Sequence, residues 1–186
     1  MSGIYRRLRL AGVLASVLLL AASWPVAGAE SHGIHEHGSA ELNLVLEGQA
    51  LAVEFTSPAM NIVGFEHQPR TVKQKQALKE ALAHLRQGDK MLGLPAAAQC
   101  RLESAEVSSD LEGHDHGHGH ARDGHDEHAD FNAIWRFQCS QPEQLRSLEV
   151  RLFEAFSGTK RVRVQAVTPT GQFGGELSAD KPRLAL

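Results

Sequence analysis

Several common catalytic signatures are missing from this 186-residue chain. It has only two cysteines, and no CxxC pair that would suggest a thiolate metal site or a redox centre. There is no HExxH segment, because His35-Glu36-His37 places its histidines two residues apart and off a common helical face. A nucleophile elbow and a glycine-rich phosphate loop are also absent, so hydrolase triads and nucleotide chemistry have no support. Aromatics make up 5% of the residues and acids outnumber bases, which argues against a basic, aromatic-lined nucleic-acid surface. These absences point away from an enzyme.

Histidine is abundant. Gly113 to His128 reads GHDHGHGHARDGHDEH and holds six of the eleven histidines: His114, His116, His118, His120, His125 and His128. Asp115, Asp123, Asp126 and Glu127 lie among them. Nothing in this stretch is large and apolar, so it cannot build a core. Neutral imidazoles with nearby carboxylates are good ligands for zinc, copper and nickel. The glycine-rich backbone suits capture and exchange more than a rigid catalytic geometry. His32, His35 and His37, with Glu36, form a second cluster near the N-terminus. His67 follows Glu66 outside both clusters, which makes Glu66 and His67 candidates for an ordered site. Acidification would charge the imidazoles and release metal.

The first 29 residues carry the three parts of a secretory signal: Arg6, Arg7 and Arg9, the uncharged apolar run Leu10 to Ala22, and Ala27-Gly28-Ala29 as the cleavage site. Cleavage after Ala29 implies export and no stable membrane anchor. Removing three arginines from 19 basic residues leaves 16 against 22 acids, a mildly acidic mature protein. In an exported chain, the even cysteine count suggests a Cys100–Cys139 disulfide closing the loop that contains the histidine tract. Both thiols as metal ligands is the alternative.

Residues 30–186 read as one metal-binding α+β domain with mostly antiparallel sheet. Alternating runs predict strands at Ala40–Glu47, Leu51–Thr56, Gln99–Val107, Phe131–Gln138, Leu148–Phe156, Arg161–Val167 and Gln172–Leu177. Ser57–Pro69 reads as a packed-down loop. A main amphipathic helix spans 71–88, capped by Thr71, striped by Leu78, Leu82 and Leu85, and stopped by Gly88. It either covers one sheet or joins two small lobes. His84 on this helix reads as a surface or boundary residue, not a ligand. Residues 108–130 read as a disordered histidine-rich insertion at a hairpin tip, far from the disulfide.

Several segments resemble the ZrgA-like periplasmic zinc-binding proteins of Gram-negative bacteria. They are His35-Glu36-His37-Gly38 running into Ala40-Glu41-Leu42-Asn43, then Glu54-Phe55-Thr56-Ser57-Pro58-Ala59, Asn61-Ile62-Val63-Gly64-Phe65-Glu66-His67, and Leu152-Phe153-Glu154-Ala155-Phe156. The resemblance covers nearly all of the mature chain, and its most specific segment is NIVGFEH. It implies periplasmic zinc binding in support of a high-affinity ABC zinc importer, with that importer's substrate-binding protein or permease as partner. It transfers no ligand set. Ligand types alone leave copper or nickel handling open, as well as an envelope-interaction domain whose histidine tract is a passive spacer.

Overall fold

The computed structural model describes residues 36–113 and 128–186. The signal segment, His32, His35 and the insertion histidines His114 to His125 lie outside the described residues.

The chain forms β1 (Ser39–Glu47), β2 (Ala50–Pro58), the short helix α1 (Ala59–Val63) and the main helix α2 (Val72–Leu85). Then come α3 (Gly88–Met91), β3 (Leu92–Gly93), β4 (Cys100–Ser109), β5 (Asp130–Cys139) and β6 (Ser147–Val150). It closes with α4 (Leu152–Ala155), β7 (Arg161–Thr168), β8 (Gly171–Leu177) and β9 (Arg183–Ala185). A six-stranded sheet has the order β4-β5-β2-β1-β7-β8, and a three-stranded sheet the order β3-β6-β9. Pairing is antiparallel throughout except between β1 and β7. The antiparallel-dominated α+β reading therefore fits, with one parallel contact that strand periodicity does not reveal.

The large sheet buries one face. Leu42, Leu44, Leu51, Val53, Phe55, Phe131, Trp135, Val162 and Val164 are all nearly inaccessible, as the two-residue alternation requires. The intervening residues, such as Glu41, Glu54 and Arg163, are exposed. Helix α2 contributes Leu78, Ala81, Leu82 and Leu85 to the same core, the stripe expected from its sequence. A reciprocal capping box between Thr71 and Gln74 starts it. Leu92, Leu148 and Val150 bring the small sheet into this core.

Three local readings change. Helix α2 ends at Leu85, and Gly88 opens α3. A Cβ on Gly88 would lie 2.5 Å from Trp135 Cδ1, so close packing against the indole requires glycine there. The same indole donates from Nε1 to the Leu85 carbonyl at 2.7 Å and stacks on Phe55. The expected strand Leu148–Phe156 ends at Val150, and the chain turns into α4. Leu152 and Phe156 stand four residues apart, so both can be buried by a helical turn as well as by alternation. Within the expected loop Ser57–Pro69, residues 59–63 form α1, closed by Gly64 in the left-handed region.

The β4–β5 hairpin holds the insertion. Its register runs from Cys100 opposite Cys139 to Ser109 opposite Phe131, with an irregularity between Leu102 and Ser104. Cys100 and Cys139 form a disulfide at the end of the hairpin away from the insertion. Several residues expected in the disordered insertion belong to regular structure. Ser108 and Ser109 continue β4, Asp130 begins β5, and Leu111 is 2% exposed. Replacing both cysteines by serine should lower the unfolding free energy by about 2–4 kcal/mol, as read by guanidinium denaturation. An unchanged midpoint would show that the paired strands alone hold the hairpin.

Candidate metal centre

The start of β1, the end of β2, the end of β4 and the starts of β5 and β7 lie along one edge of the large sheet. The segment preceding β1 and the two ends of the insertion therefore leave the fold from the same edge. Segment 58–69, running from β2 to α2, crosses it.

Asn61 organises this edge. Its side chain is buried and makes three hydrogen bonds. Oδ1 accepts from the Gly38 amide at 2.6 Å, and Nδ2 donates to the Ser39 carbonyl at 2.8 Å and to Ser57 Oγ at 3.1 Å. Gly38 has φ +89°, a left-handed conformation that favours glycine. Its carbonyl accepts from the amides of Lys160 and Arg161. His37, the residue before it, thus projects from a fixed backbone. Glu36 is engaged elsewhere, in an ion pair with Arg161.

His37 Nε2 lies 3.2 Å from Glu66 Oε1, and His128 Nδ1 lies 3.7 Å from Glu66 Oε2. One carboxylate therefore sits between two imidazoles from distant parts of the sequence. The Glu66 side chain is 15% exposed, against 54% for His37 and 47% for His128. Glu66 follows Phe65, which is buried. His128 precedes Ala129, whose carbonyl accepts from the Ala59 amide at 2.7 Å.

The neck of the insertion is fastened on both sides. The Asp110 amide donates to the Asp130 carbonyl, and the Asp130 amide to Asp110 Oδ2 at 2.9 Å. Ser109 Oγ donates to the Asp130 carbonyl and accepts from the Leu111 amide. Gln68 Nε2 donates to the Asp110 carbonyl at 3.0 Å. The insertion thus leaves the fold beside Gln68 and re-enters beside Glu66.

The structure joins His37, Glu66 and His128 and leaves His67 with other partners. His67 Nδ1 lies 3.0 Å from the Gln68 carbonyl, its Nε2 faces Gln74 Nε2 at 3.5 Å, and its ring packs on Phe65. His84 is exposed, with its ring near Phe156. Among the described residues, no three histidine, cysteine, aspartate or glutamate side chains stand ready-made around a metal position. The grouping at Glu66 is held by polar contacts between side chains and offers two nitrogens and a carboxylate, a donor set suited to zinc.

One residue was missed in the sequence, and one candidate was placed differently. Asn61 read as part of a loop with no period, although a polar residue between apolar neighbours in a packed-down segment was a signal. His128 was grouped with the insertion, although it adjoins Ala129, whose small buried side chain marks the return to the fold. Substituting Asn61 by alanine should destabilise the protein by about 2–3 kcal/mol, because it leaves the Gly38 amide without its side-chain partner. Urea unfolding measures this, and a loss below about 0.5 kcal/mol would remove Asn61 from its organising role.

No curated protein matches the chain. Residues 34–186, which include every described element, match the model of the ZrgA family zinc uptake protein. The chain belongs to the ZrgA family of zinc uptake proteins.

Proposed function

We propose that the protein is an exported, non-catalytic zinc-binding accessory protein. Its signal segment is cleaved after Ala29, and it works in the periplasm. Its histidine-bearing segments collect zinc and deliver it to a high-affinity ABC importer, through that importer's substrate-binding protein or permease. The observation that carries this reading is the meeting of the three histidine-bearing parts of the chain at one sheet edge, where His37 and His128 flank Glu66. A collector benefits from this arrangement, because an ion released by one ligand cluster is close to the next. Membership in a zinc uptake family favours zinc over copper or nickel. The Cys100–Cys139 disulfide suits an oxidising compartment.

Elemental analysis and zinc titration of the mature protein provide the test. The wild type should bind several equivalents. A variant with His114, His116, His118, His120 and His125 changed to serine should bind fewer. Equal stoichiometry in the two proteins would remove the insertion's role in capture. A strain lacking the protein should grow poorly under zinc limitation and normally under copper or nickel limitation. The reverse pattern would overturn the choice of metal.

A further inference from the structure

We infer that the protein pairs with a second copy of itself through the free edge of β8. The two β8 strands run antiparallel about Gly174 and join two six-stranded sheets into one. The inference does not depend on the zinc reading.

The two edges of the large sheet differ. An edge strand presents unpaired backbone groups to any other strand, and proteins guard such edges with bulges, prolines and charged side chains. The large sheet ends at β4 on one side and at β8 on the other. β4 is guarded: its pairing is irregular between Leu102 and Ser104, and Arg101, Glu103 and Glu106 are exposed along it. β8 has no such guard. Its register against β7 runs unbroken from Val162 opposite Leu177 to Thr168 opposite Gly171. Its sequence, GQFGGEL, contains no proline, and Glu176 is its one charged residue. Among the described residues, no strand pairs with its outer side.

The turn between β7 and β8 fixes which groups face outward. Pro169 has no amide hydrogen, so Thr168 and Gly171 form the hydrogen-bonded pair that closes the turn. Alternation from there directs the backbone groups of Phe173, Gly175 and Leu177 towards β7. Those of Gln172, Gly174 and Glu176 point away from the sheet. Strand β9 leaves them open. A Cβ on Gly175 would lie 3.5 Å from Leu184 Cδ1, which places β9 beneath the inner face of β8 and not beside its edge.

The strand is complementary to itself, and this singles out a second copy as the occupant. With Gly174 opposite the partner's Gly174, all of Gly171–Leu177 pairs. Outward-facing groups then meet outward-facing groups, with Gln172 opposite the partner's Glu176. Each carboxylate thus faces an amide, and the two carboxylates stay apart. On the inner face, Phe173 falls opposite the partner's Gly175, at a non-hydrogen-bonded pair where side chains stand closest. An aromatic ring there covers the gap that glycine leaves. Phe173 is half-buried within one protomer and has surface left to contribute. Each copy uses its unguarded edge once, so the twofold contact closes on itself and assembly stops at the dimer.

Sedimentation velocity on the mature protein across about 1–500 μM measures the association. A chelator in the buffer removes histidine–metal bridges between copies. The mass should rise with concentration from that of a monomer towards twice that value. Q172E sets carboxylates opposite each other at both symmetry-related pairs and should weaken the dimer by about 2- to 30-fold. Q172K, facing the partner's Glu176, should strengthen it, and high salt should shrink the difference between the two variants. Circular dichroism checks that both variants are folded. A wild type that stays monomeric throughout overturns the inference. A dimer that is indifferent to both substitutions, or weakened equally by both, overturns it as well, because the copies would then meet elsewhere or in another register.

Discussion

A buried amide side chain must find partners for its donors and its acceptor, and at Asn61 this requirement shapes the whole metal-facing edge. The partners available are the backbone of residues 38 and 39 and the hydroxyl of Ser57. The start of β1 is thereby tied to the segment that follows β2. The next link runs from the Gly38 carbonyl to the amides that begin β7, the one parallel neighbour in the large sheet. A third runs from the Ala59 amide to Ala129 at the start of β5. Residues widely separated in sequence meet there because the backbone around α1 is anchored to three strands at once.

The hairpin of β4 and β5 divides structural and functional demands along its length. At one end the disulfide and the buried Cys139 and Phe137 belong to the core. At the other, Ser109, Asp110 and Asp130 close the neck with polar contacts, and Leu111 seals it with a buried apolar side chain. A polar, histidine-rich segment can be carried on such a hairpin because its departure costs the core nothing.

Much of the fold was legible from alternation. The buried faces of β1, β2, β5 and β7, and the stripe on α2, follow the positions of their apolar residues, since one face of each element meets the core. The disulfide partners followed from cysteine count and compartment. Local pattern could not show the sheet order, because the parallel contact between β1 and β7 joins residues about 120 apart in the chain. The end of β6 was misread because Leu148, Val150 and Leu152 satisfy the strand period while Leu152 and Phe156 also satisfy the helical one. The small strand β9 was missed because three residues carry too short a pattern. At the site, residue types indicated metal chemistry and included His37, Glu66 and His128. Their grouping, and the separate surroundings of His67, depend on tertiary contacts that no spacing reveals.

The bridge between Cys100 and Cys139 also bears on how this protein withstands damage. A protease that cut the chain anywhere between residues 114 and 127 would leave two fragments still joined covalently, with β4 and β5 paired along their length.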